Sequence, residues 1–543
     1  MQKEILELYR LVQNKNIEKA YSISKKLYQN NKNNKDIVKI LTYLHIQKTQ
    51  YYAAIRVLQD YYGEKKEERD FDYFINMGVC HKANEDYELS LEMYDEATKI
   101  NPDSHMCYTI PAEIYLKLRD FKRSMDLLDI ALDKMRITGQ ETLNFPNTIK
   151  LKTEVYVALN KDQENEKMLL DLLNEKFHPD IFYLLSIVNP KLIDDDLLNT
   201  AEKQLEEYDK MYTNKLDRFW YVHPLYFGLA IFYNKKNQQK SENLYELGNK
   251  EIMSSLRYNS FEYQSDIVNI IDCYNKNFLN KKQMDETEGD KNFFILGTPR
   301  SGTTLIESFI AANNKVTSGG ELLSARNLIS EFVKKSNSQS IDDFVLNFRK
   351  TYLNRTNFLR GEHENIVDKL PDNFLYIGFL FKLLPKSKVI RTFRDPWDVA
   401  VSMFKQRYVT NIPYSASFFN IGVFMANFEA INIFWNEHLG NKNALLDVKY
   451  EELVENPELH QKKIYKFLNI NSDFDENKRK SFFSQTASIR QIGTDIHNRS
   501  VKKEEFLSHK DEFFESIRMQ RKYWEKRGII SKDSDFFGYK LLS

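Results

Sequence analysis

Phe293-Phe294-Ile295-Leu296-Gly297-Thr298-Pro299-Arg300-Ser301-Gly302-Thr303-Thr304 decides how this chain is read. Four apolar residues have the pattern of a short buried strand, closed by a turn of glycines, hydroxyls and an arginine. Thr304-Leu305-Ile306-Glu307-Ser308-Phe309-Ile310 then opens as a helix. A strand, a Gly/Ser/Thr loop and a helix N-terminus make an anion site, because free backbone N–H groups and the helix dipole both favour negative charge there. Gly297 to Thr304 nearly fits the phosphate-loop spacing G-x-x-x-x-G-K-[ST], but Thr303 stands in the lysine's place and Arg300 supplies the cation. A magnesium nucleoside triphosphate ordinarily needs that lysine. A phosphosulfate needs backbone donors, hydroxyls and one cation, and no metal.

Downstream, strand and helix patterns alternate. Lys315–Glu321 reads as a strand ending in the Gly319-Gly320 turn, Asn365–Lys369 as another, and Phe374–Leu384 as an apolar helix. Ser387–Phe393 is a strong strand, Trp397–Gln406 a helix with Pro396 near its first turn, and Ala444–Tyr450 one more strand. Such alternation predicts a parallel sheet covered on both faces, with ligands beyond the carboxyl ends of its strands. The opening loop, Glu321, Lys369 and Arg394 each end or follow a predicted strand, so one crevice can receive all of them.

Upstream, the chain is repetitive. In Phe71–Ser104, the residues Phe74, Gly78, His81, Ser90, Tyr94, Ala97 and Pro102 fall at tetratricopeptide offsets. A shift of 34 residues maps Gly78 to Ala112, Ser90 to Ser124, Tyr94 to Leu128 and Ala97 to Ala131. Asn16–Ala20 and Tyr51–Ile55 resemble the turn and second-helix start of further units, and the pattern after Leu151 degenerates but stays helical. Residues 1–275 therefore read as stacked helix pairs, 276–291 as a polar linker, and 292–543 as an α/β domain. The stack offers a concave surface for a protein partner or a scaffolding arm.

With 543 residues, more than one core is expected. Equal numbers of basic and acidic residues, 78 each, demote a nucleic-acid binder. Only 17 glycines and 12 prolines favour long helices. Cys80, Cys107 and Cys273 show neither metal nor disulfide spacing, which suits a reducing, cytoplasmic setting. The N-terminus has the pattern of an amphipathic helix with no signal-peptide core, and no apolar run of bilayer length is expected, hence no membrane.

Four ordered segments carry a family resemblance: Gly297–Thr304; Gly320-Glu321; Asp368–Phe374 with Tyr376-Ile377-Gly378; and Arg394-Asp395-Pro396 through Ser402. Weaker echoes are Lys449–Val454 and Thr486-Ala487-Ser488. Together they resemble sulfotransferases that use 3′-phosphoadenosine 5′-phosphosulfate (PAPS), in particular tetratricopeptide-repeat sulfotransferases and tyrosylprotein sulfotransferases. The resemblance implies an α-solenoid followed by an α/β, P-loop-like sulfotransferase domain with a parallel sheet. It also implies that Arg300, Ser301, Gly302, Thr303 and Thr304 hold the 5′-phosphosulfate, and that Arg394 and Ser402 grip the 3′-phosphate. Tyr450 would lie near the adenosine, Lys503 near the nucleotide phosphates and Ser488 near the sulfonate. Glu321, 21 positions after Arg300, matches the family's general base, and Lys369 a lysine beside the leaving oxygen. Gly493, Asp495 and His497 stand where the family has arginine, proline and tyrosine. The implied acceptor is a hydroxyl of a protein, peptide or small molecule, a peptide tyrosine foremost. Two other readings stay open: a repeat-based binding protein whose sulfotransferase-like domain only senses nucleotide, and a P-loop kinase.

Overall fold

The computed structural model describes residues 2–14, 16–139, 144–256, 258–279, 288–335, 340–408, 412–439, 442–483 and 504–531. They pack as two compact units, 1–155 and 156–543.

The first unit is built of antiparallel helix pairs. Phe71–Ala83 pairs with Tyr87–Ile100, and Met106–Lys117 with Phe121–Thr138. The expected 34-residue equivalence is visible atom by atom. Ser90 Oγ donates to the carbonyl of Gly78 at 2.8 Å, and Ser124 Oγ to that of Ala112, also at 2.8 Å. Gly78 is small because the Tyr94 ring lies where its Cβ would be, 2.7 Å away. The turns repeat as well. Thr49, Glu85 and Arg119 each adopt positive φ, and the next residue's N–H returns to a carbonyl five positions back in all three. A short hydroxyl closing the helix pair and a fixed turn are what let the second helix lie tightly on the first.

The second unit holds a five-stranded sheet in the order β2-β3-β1-β4-β5, parallel throughout. The strands are β1 (Asn292–Gly297), β2 (Val316–Gly320), β3 (Asn365–Lys369), β4 (Lys388–Phe393) and β5 (Leu445–Lys449). Every residue of β1 is buried, as a central strand covered on both faces requires. Phe293 and Ile295 join Ile306, Phe309 and Ile310 of the helix Thr303–Ala311 and Ile464 and Leu468 of the helix Pro457–Leu468. Phe294 points the other way and stacks on Tyr352 of the helix Ile341–Arg360, ring centroids 5.9 Å apart. Burying each such side chain contributes about 1.5–3 kcal/mol. Arg391, fully buried on β4, is satisfied by Asp447 (2.8 and 2.9 Å), Asn432 (2.9 Å) and Asn436 (2.9 Å), which ties β4, β5 and the helix Phe418–His438 together.

Three sequence expectations need adjusting. The packing division falls between Val155 and Tyr156, earlier than the polar segment 276–291, of which 280–287 lie outside the described residues. The helices that follow share side-chain contacts with the sheet domain: Asn249 Nδ2 donates to the carbonyl of Phe404 (2.9 Å), Arg407 pairs with Asp180 (2.7 Å), and Tyr274 meets Trp435 edge-on at 5.0 Å. The expected helix Phe374–Leu384 is preceded by and overlaps a 3-10 turn, Pro371–Tyr376, and is α-helical only over Ile377–Leu383. Finally, the helix Phe418–His438 is long and apolar enough to cross a membrane by length and composition, against the expectation of no such run. Most of it is buried within the fold, against Lys510–Lys526 among others, and burial on all sides gives the same all-round apolar sequence.

That last contact is a test of the packing. A Cβ on Gly422 would stand 1.9 Å from Ser516 Oγ and 2.6 Å from the carbonyl oxygen of Phe513. Gly422→Ala should lower the unfolding free energy of the chain by about 1–3 kcal/mol in urea denaturation. Adding Ser516→Ala should restore only part of it, since the backbone carbonyl stays.

Candidate functional site

The site begins where β1 ends. From Gly297 the chain turns through Arg300, at φ 69°, and Gly302, at φ 96°, before the helix Thr303–Ala311 starts. Left-handed backbone is free for Gly302, while Arg300 holds it at a cost of about 1–2 kcal/mol. Gly302 is also required by space: a Cβ there would lie 2.5 Å from the Tyr450 ring. The Ser301 hydroxyl turns inward, donating to the carbonyl of Thr298 at 2.6 Å and meeting Thr392 Oγ1 at 2.5 Å. Its contribution to the loop is a brace between β1 and β4, while the backbone N–H groups of a helix start are donors of the kind that suits an anion. Thr303 and Thr304, both buried, open that helix, and its first turn holds no acidic residue.

Two guanidinium groups meet over this loop. Arg394, just past β4, donates from Nη1 to the carbonyl of Arg300 at 2.9 Å and lies over the Tyr450 ring at 4.4 Å from its centroid. It also stands 3.9 Å from Asp398, the ion pair that an ordinary arginine in this position would make. Arg300 Nε donates to Ser402 Oγ at 2.9 Å. Ser402 lies in the helix Pro396–Phe404, whose start is capped by Asp395 accepting from the N–H of Asp398. Arg300, Arg394, Ser402 and Tyr450 are therefore one cluster, with Ser402 bound to Arg300 and not directly to Arg394. Burial lowers the pKa of the Arg300 guanidinium, nearby Tyr408 opposes that, and the charge of Arg394 adds to it. Positive charges crowded at a loop of N–H donors fit a ligand with several anionic oxygens.

The second cluster lies at the ends of β2 and β3. Lys369, with a side chain 1% exposed, donates from Nζ to Glu321 Oε1 at 2.5 Å. Glu321 follows the Gly320 turn, at φ 66°, and its side chain is 38% exposed, open enough to meet a substrate. On the inner side Lys369 lies 3.9 Å from Glu307 Oε2. Glu307, fully buried one turn into the loop's own helix, accepts from Ser318 Oγ at 2.5 Å, and Ser318 Oγ in turn accepts from the N–H of Gly320 at 3.0 Å. The buried carboxylate thus holds both the lysine and the turn that presents Glu321. Asp368 accepts from Tyr352 Oη at 2.9 Å, a structural bond behind the sheet's edge.

Burial pushes the Tyr408 hydroxyl up to about 12, with Arg300 pulling down and Glu321 pushing further up. Sequence reasoning missed Glu307 and Tyr408. Glu307 was legible only as an acid inside an otherwise apolar helix start, and Tyr408 carries no spacing signal. Ser488 and Lys503 lie outside the described residues, as do Gly493, Asp495 and His497.

Two family models match different parts of the chain. Residues 292–476 match the model of the sulfotransferase family, and residues 3–183 match that of the ChAPs, described as Chs5p-Arf1p-binding proteins. An uncharacterized protein of Aquifex aeolicus is 27% identical over 294 residues, covering 50% of this chain and 38% of that protein. Protein-tyrosine sulfotransferase 1 of Danio rerio is 28% identical over 188 residues, covering 33% of this chain and 52% of that one. The chain thus spans about half or less of these two relatives' lengths. Among solved structures, the sulfotransferase domain of the Synechococcus PCC 7002 olefin synthase is 17% identical, with 44% of this chain and 97% of that chain covered at a TM-score of 0.31.

Replacing the buried lysine exposes the role of Glu307. Lys369→Met leaves that carboxylate buried without its ammonium, a change expected to lower stability by about 3–5 kcal/mol in urea denaturation. Glu307→Gln together with Lys369→Met should recover most of the loss. No recovery in the double variant would mean that the two charges are not coupled.

Proposed function

We propose that this repeat-containing sulfotransferase-family protein moves a sulfuryl group from PAPS to an acceptor hydroxyl. The observation that carries the reading is the contact between Glu321 and Lys369 beside a loop crowned by Arg300 and Arg394. A proton acceptor and three cations then stand at or just past the carboxyl ends of β1, β2, β3 and β4. PAPS would supply the sulfuryl group and leave as the 3′,5′-bisphosphate.

The helix-start N–H groups of Thr303 and Thr304, with Arg300, hold the phosphosulfate by charge-assisted bonds, and the order of the loop means little reorganisation at the moment of reaction. Arg394 and Ser402 take the second phosphate, and Tyr450 gives the nucleotide an aromatic wall. Glu321 accepts the proton of the acceptor hydroxyl as its oxygen bonds to sulfur, and the bond from sulfur to the phosphate oxygen breaks. Lys369 lies between the carboxylate and the buried Glu307, where its ammonium can follow charge from the base to the leaving oxygen. Ser488 and Lys503 remain proposed additions, one at the sulfonate and one at the phosphates.

The likeness to a protein-tyrosine sulfotransferase supports a peptide tyrosine as acceptor, and the match to ChAPs supports a protein-binding role for the repeats. The sparse cysteines support a cytoplasmic setting.

The test is transfer of labelled sulfate from PAPS to hydroxyl acceptors, with Glu321→Ala as the control that should lose it. Full activity in that variant would remove the proposed base. Calorimetry should show Arg394→Ala weakening the binding of 3′-phosphoadenosine 5′-phosphate by about 1–3 kcal/mol. Magnesium-ATP binding tighter than PAPS would favour a kinase instead.

A further inference from the structure

Ser318 and Glu321 are three residues apart, and in a regular strand residues at that spacing face opposite sides of the sheet. Here both reach the same side. Ser318 Oγ donates to Glu307 at 2.5 Å, Glu321 accepts from Lys369 Nζ at 2.5 Å, and Lys369 Nζ lies 3.9 Å from Glu307.

The pairing of β2 with β3 explains it. Thr317 stands beside Ile366 and Ser318 beside Val367, but Asp368, the next residue of β3, stands beside Gly320. Gly319 is therefore an extra residue, a bulge at the end of β2. Glu321 follows Gly320 as Lys369 follows Asp368, and the two side chains meet. Without the extra residue Glu321 would come level with Leu370 and turn to the face of Asp368. That face is the opposite one, where Asp368 accepts from Tyr352 and Tyr352 stacks on Phe294.

Two glycines and one hydroxyl make the bulge. A Cβ on Gly319 would stand 2.9 Å from Leu322 Cδ1 and 3.3 Å from Ile366 Cδ1, and Gly320 turns at φ 66°. Consecutive glycines have many other conformations open to them, so something must hold this one. The N–H of Gly320 donates to Ser318 Oγ at 3.0 Å, and the same hydroxyl gives its proton to Glu307. The turn is thereby tied to a fully buried carboxylate on the helix Thr303–Ala311.

We propose that Ser318 is a positioning residue for transfer: its hydroxyl locks the bulge that brings Glu321 onto the face of Lys369. The inference rests on the sulfotransferase reading. Ser318 acts through Glu321 and takes no part in the bond exchange itself.

Ser318→Ala and Ser318→Thr in the full chain provide the test, with a tyrosine peptide and labelled PAPS as substrates. Ser318→Ala should lower kcat about 10- to 100-fold, and Ser318→Thr, which keeps the hydroxyl, should restore most of it. Binding of 3′-phosphoadenosine 5′-phosphate, read by calorimetry, should change less than about twofold in either variant, since the lock lies away from the nucleotide loop. On the residual rate of Glu321→Ala, adding Ser318→Ala should cost nothing further, because residues that act through one group are not additive. Hydrogen exchange over residues 316–322, read by mass spectrometry, should be faster in Ser318→Ala and near wild type in Ser318→Thr. Unchanged kcat in Ser318→Ala, an equal loss in the threonine variant, nucleotide affinity falling as far as kcat, or a full further loss in the Glu321→Ala background would overturn the proposal. A wild type that moves no sulfate to the peptide counts against the transfer reading, and exchange then decides the lock. Faster exchange in Ser318→Ala upholds it, and unchanged exchange overturns it.

Discussion

Arg394 donates to the carbonyl of Arg300 while its guanidinium covers the Tyr450 ring, and this one arrangement ties the ends of β1, β4 and β5 to a single loop. The loop could not hold that shape alone. Arg300 sits in left-handed backbone, and its guanidinium and that of Arg394 repel. What holds the loop is the register of the parallel sheet, which sets Gly297 beside Thr392 and Phe393 beside Lys449. Residues that follow those strands have nowhere to go but the same edge.

The cluster at the ends of β2 and β3 is built on charge balance in a dry place. Lys369 is almost fully enclosed, and an isolated ammonium there would cost several kcal/mol. Glu307 and Glu321 share it, one buried and one reaching solvent. The buried acid, held by Ser318, keeps the lysine in place however the outer acid is used. The helix that supplies anion-binding N–H groups thus also carries the acid that steadies the lysine.

Helices well ahead of the sheet take part in the same unit. The helix Ser260–Asn277 contributes Tyr263 and Asp266 to a cavity that Asp372 also lines, so residues that read as part of the repeat stack form a wall together with residues of the sheet region. The all-round apolar helix Phe418–His438 is their common support, with Trp435 meeting Tyr274 on one side and donating to the carbonyl of Phe374 on another.

Much of this was legible in the order of residues. The alternation of short apolar runs with helical spacing predicted five parallel strands, and Arg300, Glu321, Lys369 and Arg394 stood out because each ends or follows one. The 34-residue spacing of Ser90 and Ser124 predicted the helix pairs, because a local turn and a short hydroxyl suffice to close them. Only tertiary structure decided the rest. It turned the Ser301 hydroxyl inward, bonded Ser402 to Arg300 and brought Glu307 to Lys369. The physical reason is distance along the chain. Local pattern specifies what a segment of ten residues will be, while contacts across 50 to 100 residues depend on strand register and helix packing, which no single segment encodes.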